Sequence, residues 1–123
     1  MSDEQTRQGW HRHPNGGGWV EDTAQAADTA YVGPDAEVSG YAEVYGHAKV
    51  YGHAEVSGDA KVYGYAEVSG NSKVCGNALV YGDARVSEDA IVSGHVAVSG
   101  DARVYGYSWV FEGVINTGEI EDE

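Results

Sequence analysis

The sequence has very few of the large apolar side chains that form most globular cores. It contains one leucine, three isoleucines and one phenylalanine in 123 residues. No apolar run approaches the roughly 18 residues that a membrane-spanning helix needs. A conventional core of large side chains is therefore excluded, and the apolar content comes mostly from valine, alanine and tyrosine.

The sequence also lacks the features of a disulfide-bonded or exported protein. Cys75 is the only cysteine, which excludes an intrachain disulfide framework. Residues 1–14 are polar and have no apolar segment of the kind found in a secretory signal. We therefore expect a single soluble domain in the cytoplasm, without membrane attachment.

Positive charge is sparse. Seven basic residues stand against 20 acidic ones, for a formal charge of −13. A phosphate backbone or an anionic membrane attracts proteins through lysine and arginine, so direct binding of nucleic acid or membrane is not expected. A basic protein partner fits this charge, as does mimicry of nucleic acid.

What the chain does contain is a six-residue repeat. Valine occupies every sixth position from Val32 to Val110, and a small residue, usually alanine, precedes most of these valines by two positions. Glycine follows most of them by two positions, with Glu88 as the clear exception. A period of six does not match the 3.6-residue period of a helix, and disorder does not require a valine at every sixth position.

Each repeat predicts one short strand and one corner. The Ala-x-Val pattern places two small side chains on one side of a strand, and glycine with its polar neighbour favours a corner because it tolerates positive φ. Three such sides make a triangular coil of 18 residues. We predict an all-β, single-stranded parallel β-helix, with about five coils over residues 20–110 stacked at roughly 4.8 Å. Residues 1–19 are predicted as an N-terminal cap, and residues 111–123 as a C-terminal cap with an acidic tail.

The triangular coil also predicts ladders of outward side chains. Aromatic residues are enriched at interfaces, and adjacent exposed aromatics rarely remain in contact with water. Two interpretations stay open for the tyrosines, which are stabilisation of neighbouring coils or contact with another subunit. The aromatics near the C-terminus are covered either by the tail or by another chain. The candidate interface residues are Tyr45, Tyr63, Leu79, Tyr81, Ile91, Tyr107, Trp109 and Phe111.

The stretch from Val32 to Val110 resembles the hexapeptide-repeat proteins, whose coils form left-handed β-helices. Val50 and Ala54 show the four-residue gap of that family, although glycine stands two residues after valine rather than one. The segment Asn15 to Trp19, followed by uninterrupted repeats, is similar to short hexapeptide-repeat proteins of phages and prophages. The resemblance implies a left-handed coil and a homo-oligomer, with a trimer favoured and a dimer possible. For a phage-encoded protein it also implies the host cytoplasm and a host defence protein as partner.

Many enzymes of this family are acyltransferases with a catalytic histidine and a loop that interrupts the repeats. Here the repeat is unbroken, and His47, His53 and His95 occupy corner positions on three different corners. We therefore assign no catalytic residue. His11 and His13 form only a weak metal-binding pattern, so neither a metal nor a cofactor is expected.

Three hypotheses for function follow. The first is a non-enzymatic protein-binding module, such as a phage-encoded inhibitor or decoy of a basic host protein. The second is an assembly protein of a virion or scaffold. The third is small-molecule binding or acyltransferase-like activity in clefts between subunits, for which Arg85 and Arg103 are candidate contacts.

Overall fold

The computed structural model describes residues 8–122, and every regular element in that range is a β-strand. The 17 strands are β1 (Trp10–Arg12), β2 (Trp19–Glu21), β3 (Gln25–Ala26), β4 (Tyr31–Val32), β5 (Glu37–Val38), β6 (Glu43–Val44), β7 (Lys49–Val50), β8 (Glu55–Val56), β9 (Lys61–Val62), β10 (Glu67–Val68), β11 (Lys73–Val74), β12 (Leu79–Val80), β13 (Arg85–Val86), β14 (Ile91–Val98), β15 (Arg103–Gly106), β16 (Trp109–Ile115) and β17 (Glu119–Asp122).

The strands wind into a parallel β-solenoid with three sides per coil. Strands one coil apart pair in parallel, so that Val44 lies opposite Val62 and Val56 lies opposite Val74. β14 runs through a corner and joins two of the sides into one sheet of 11 strands, while the third side is a sheet of six strands. The prediction of an all-β solenoid is confirmed, with about six turns. The left-handed winding stays a prediction.

The interior is a stack of small side chains. The alanine and valine of each repeat point inward and are buried, which places valine above valine and alanine above alanine from coil to coil. Burial of one valine stabilises the fold by roughly 1.5–3 kcal/mol. Ser72 and Ser108 occupy alanine positions, and each hydroxyl donates to a carbonyl three residues earlier, Ser69 at 2.6 Å and Tyr105 at 2.7 Å. Buried hydroxyls are therefore tolerated because they remain hydrogen-bonded.

The corners require glycine for two reasons that Gly58 illustrates. Its φ is +67°, which L-residues disfavour, and an added Cβ would lie 2.9 Å from the nitrogen of Gly76 in the next coil. Glu88 takes the same conformation, with φ +60°, and is the only non-glycine residue in the range 8–122 with positive φ. Its carboxylate accepts a hydrogen bond from the Gly106 N–H at 3.0 Å, which partly offsets the strain.

The N-terminal end of the coil is partly covered by a hairpin, while β3 has no strand partner on its outer edge among residues 8–122. β1 pairs antiparallel with β2, and residues 15–18 exchange backbone hydrogen bonds with Val32. An added Cβ on Gly18 would lie 2.4 Å from the Gly33 carbonyl, so the glycine run permits this close approach. Positions 1–7 of the predicted N-terminal cap (residues 1–19) lie outside the described residues.

The C-terminal segment completes a further coil after the last regular repeat. β16 pairs in parallel with β14, and β17 pairs with β15. Paired residues are fewer positions apart in the sequence here than in the regular coils, since Glu112 lies opposite His95 and Glu119 lies opposite Arg103. No strand among residues 8–122 pairs with the outer edge of β16 or β17, so this end of the coil is open. Glu123 lies outside the described residues.

Replacement of Gly58 by alanine tests the corner. We expect Gly58→Ala to lower the free energy of unfolding by about 1–2 kcal/mol from the left-handed backbone alone, with an additional loss from the clash with Gly76. Asp59→Ala is the matched control, because Asp59 is exposed in the same corner and its N–H bond to the Gly76 carbonyl is kept. Thermal or urea unfolding of both variants gives the comparison. Equal stability of the two variants would contradict the corner geometry.

Candidate interaction surface

Three of the predicted interface residues form a continuous aromatic stack, here called the tyrosine ladder (Tyr45, Tyr63 and Tyr81). The ring centroids of Tyr45 and Tyr63 lie 4.8 Å apart and those of Tyr63 and Tyr81 lie 4.9 Å apart, each pair with an interplanar angle of 3°. The spacing equals the distance between coils, so the rings follow the backbone register. The ladder presents its phenol groups at one corner, and Leu79 lies two residues before Tyr81 on the adjoining side.

The stack perturbs the phenol at its centre. Burial between the two neighbouring rings raises the pKa of Tyr63, and the nearby phenols of Tyr45 and Tyr81 raise it further. Because the pKa of Tyr63 is higher in the folded state than in the unfolded state, the unfolded state loses this proton first as the pH rises. Deprotonation therefore lowers the free energy of unfolding.

The last coil carries a second exposed apolar group, here called the terminal cluster (Tyr107, Trp109, Phe111 and Val114). Their side chains are 71%, 67%, 56% and 72% exposed, respectively. The rings of Trp109 and Phe111 meet edge to face at 6.1 Å, and the Trp109 indole N–H donates to the Ser93 hydroxyl at 3.2 Å. Four large apolar side chains in water within one coil are typical of an interaction surface.

The described part of the tail does not cover this cluster, because all four of its side chains remain exposed. Ile115 and Ile120 turn inward and pack against the core, and the residues between them continue the coil. Ile91 lies directly below Trp109 on the same side, as the register of the regular coils requires. The tyrosine ladder and Leu79 lie on a different side of the coil from Ile91 and Trp109, so the eight candidate interface residues form two surfaces. Val114 lies opposite Ala97, which lies opposite Leu79, so Val114 stands on the side of Leu79 and shares only the last coil with Trp109.

The two candidate arginines lie together on the third side of the coil. Arg85 is the register partner of Arg103, and Arg103 in turn is the partner of Glu119. Tyr105 donates to the Glu119 carboxylate at 3.0 Å, and this bond raises the pKa of the Tyr105 phenol. The arginines therefore stand beside carboxylates on an open surface, which offers a free anion little net attraction.

The histidines have separate local partners. His47 stacks on Tyr65 with centroids 5.2 Å apart, at a corner that neither His53 nor His95 shares. His11 pairs with Asp22 at 2.8 Å, whereas the buried His13 places Nε2 2.8 Å from the Ala30 carbonyl oxygen. Among residues 8–122, no three His, Cys, Asp or Glu side chains gather in an arrangement that could hold a metal ion.

Comparison with known proteins gives one family. A family model described as the YdcK beta solenoid repeat matches residues 73–88, 80–94 and 98–112, which together make up well under half of the chain. The match lies on the regular coils and includes every residue of the terminal cluster except Val114, and it supports a repeat β-helix. Comparisons with curated proteins and with solved structures gave no match. Across residues 8–122, no helix is long and apolar enough to span a membrane.

The raised pKa of Tyr63 predicts a loss of stability in alkali. Stability from this group is fully present below its ordinary pKa near 10 and is lost as the pH rises through the higher pKa of the folded state. We expect the melting temperature to fall between about pH 9 and pH 11, and Tyr63→Phe to reduce that fall because the rings stay stacked while the central one loses its ionisable group. Tyr41→Phe is the control, since Tyr41 is exposed and lies outside the ladder. An unchanged alkaline fall in Tyr63→Phe would contradict the stacked geometry.

Proposed function

We propose that this chain is a non-enzymatic protein-binding module that contacts its partner through the terminal cluster. The observation that carries the proposal is the exposure of Tyr107, Trp109, Phe111 and Val114 on one coil of a rigid scaffold. Tryptophan and tyrosine dominate the energetics of many protein interfaces, because they bury large areas with few rotatable bonds. A coil held by backbone ladders loses little conformational entropy when it binds.

The charge of the chain supports a basic partner. The formal charge is −13, and the residues after Arg103 include five carboxylates and no lysine or arginine. Such a field attracts a positively charged surface and speeds its association. The sequence resemblance to short hexapeptide-repeat proteins of phages makes a basic host defence protein the first partner class to test, with the chain as its inhibitor or decoy.

The tyrosine ladder favours a second candidate, which is an assembly role through self-association. Its rings form a flat, regular strip at one corner of the coil. Strips of this kind allow lateral packing of identical subunits, as in the trimer or dimer that the resemblance implies. The two candidates use different surfaces, so they are separable by mutation.

We expect Trp109→Ala and Phe111→Ala, singly or together, to abolish capture of a specific partner from a host lysate. Tyr41→Ala is the matched control, because Tyr41 is 69% exposed but lies far from the last coil. Light scattering on each variant shows whether self-association changes. Capture that is equal in all variants, or no specific capture at all, would contradict the proposal. A trimer or dimer that dissociates in Tyr63→Ala but binds no other protein would support assembly instead.

A further inference from the structure

The two ends of the solenoid differ in how their backbone edges are closed. At the N-terminal end the hairpin covers the outer edge of β2 and residues 15–18 bond to β4, which leaves the two residues of β3 as the uncovered edge there among residues 8–122. At the other end β16 and β17 have no strand partner on their outer edges among residues 8–122. An unpaired edge strand is a template for another strand.

The hydrogen-bond pattern identifies which groups of β16 point outward. In a parallel ladder, alternate residues bond to opposite neighbours. The Ile91 N–H donates to the Ser108 carbonyl and the Ser99 N–H to the Ile115 carbonyl, at 2.9 and 2.8 Å. Trp109 and Val114 therefore turn their N–H and C=O groups away from β14, toward the open end. β16 has seven residues and follows β14 around a corner, so it offers one edge segment at Trp109 and a second at Val114, to which an extended peptide can pair.

The inward side chains at this end are also incompletely covered. Val110 retains 8% exposure, whereas its counterpart Val92 one coil earlier retains 0%. Ile115 and Ile120 are only partly buried against the core. One more coil, or one added strand with small apolar side chains, would complete their burial.

The charge around the open end selects among possible occupants. Glu112 and Glu119 are exposed there, Glu121 is exposed beside them, and the chain has no basic residue after Arg103. Two copies that met at these ends would bring like charges together, which disfavours such a dimer. Stacking of one copy on the N-terminal end of another would meet the hairpin rather than a regular coil.

Resting on the proposed function, we infer that the partner supplies an extended basic segment that adds as a strand to the outer edge of β16. Its backbone bonds to the outward groups of Trp109 and Val114. Its apolar side chains cover Val110 and Ile115, and its lysines or arginines face the carboxylates of the last coil. Backbone pairing gives the affinity, and the alternation of apolar and basic residues gives the selectivity.

The test uses the full chain and a short synthetic peptide of alternating valine and lysine with blocked ends. We expect binding by calorimetry, with NMR shift changes confined to residues in and next to β14–β17. We expect affinity to fall with added salt, because exposed charges are screened. The same peptide with its valine amides methylated, or with glutamate in place of lysine, should bind at least about tenfold more weakly.

The matched pair Val114→Pro and Val114→Ala tests the edge from the side of the protein. Proline removes the outward N–H, which takes no part in the ladder with β14, so the coil should keep its melting temperature. We expect Val114→Pro to weaken peptide binding by about tenfold or more and Val114→Ala by only a few-fold. If Val114→Pro fails to fold, the methylated peptide makes the same test.

Strand addition would be overturned if peptide binding were insensitive to amide methylation, or if the NMR shift changes lay away from the last coil. It would also be overturned if light scattering showed a dimer whose second copy prevented the peptide from binding. If partner capture depends on Trp109 but the peptide does not bind, strand addition is wrong and the proposed binding module still stands. Failure of both experiments would remove both proposals.

Discussion

The structure depends on one constraint, which is the strict stacking of coils in a fixed register through backbone hydrogen bonds. Each outward residue donates its N–H to the coil that follows, as Glu43 does to the Ala60 carbonyl at 3.0 Å. This register places valine on valine inside and fixes the side chain that stands above each outward residue. It explains why a core without large side chains is sufficient, since the largest fully buried side chains of the described residues are valines.

The same register makes the surface periodic and leaves the ends as the exceptions. Tyrosines at equivalent positions of successive coils become a ladder, and Glu67 becomes the neighbour of Lys49 and Arg85. At an end there is no further coil to pair with, so backbone groups and apolar side chains are exposed together. At the N-terminal end, the hairpin covers β2 and residues 15–18 bond to β4. The last coil has no such cover among residues 8–122, and it also carries Trp109, Phe111 and Val114, so the proposed binding surface lies there.

The sequence was sufficient for the regular part of the fold, because the inward valines and the glycine corners follow from one period. It predicted the stacking of Tyr45, Tyr63 and Tyr81 for the same reason. It did not predict the coil formed after Val110, because the spacing shortens there and turns at Gly113 and Gly118 replace the repeat. The hairpin contacts of Gly16 and Gly18 were also missed, since glycine in a run has no side chain that indicates what it approaches. The role of the exposed surfaces depends on a binding partner, and the six-residue repeat contains no information about which protein that partner is.

Residue-resolved amide hydrogen exchange tests the open end most directly, at a concentration where light scattering shows a monomer. We expect Ile91, whose N–H is bonded to the Ser108 carbonyl, to be protected from exchange. We expect Trp109 and Val114 to exchange nearly as fast as amides in an unfolded chain, because their N–H groups face solvent. Protection of Trp109 and Val114 equal to that of Ile91 in the monomer would mean that the chain covers its own last coil. That result would contradict the assignment of this end as the binding surface.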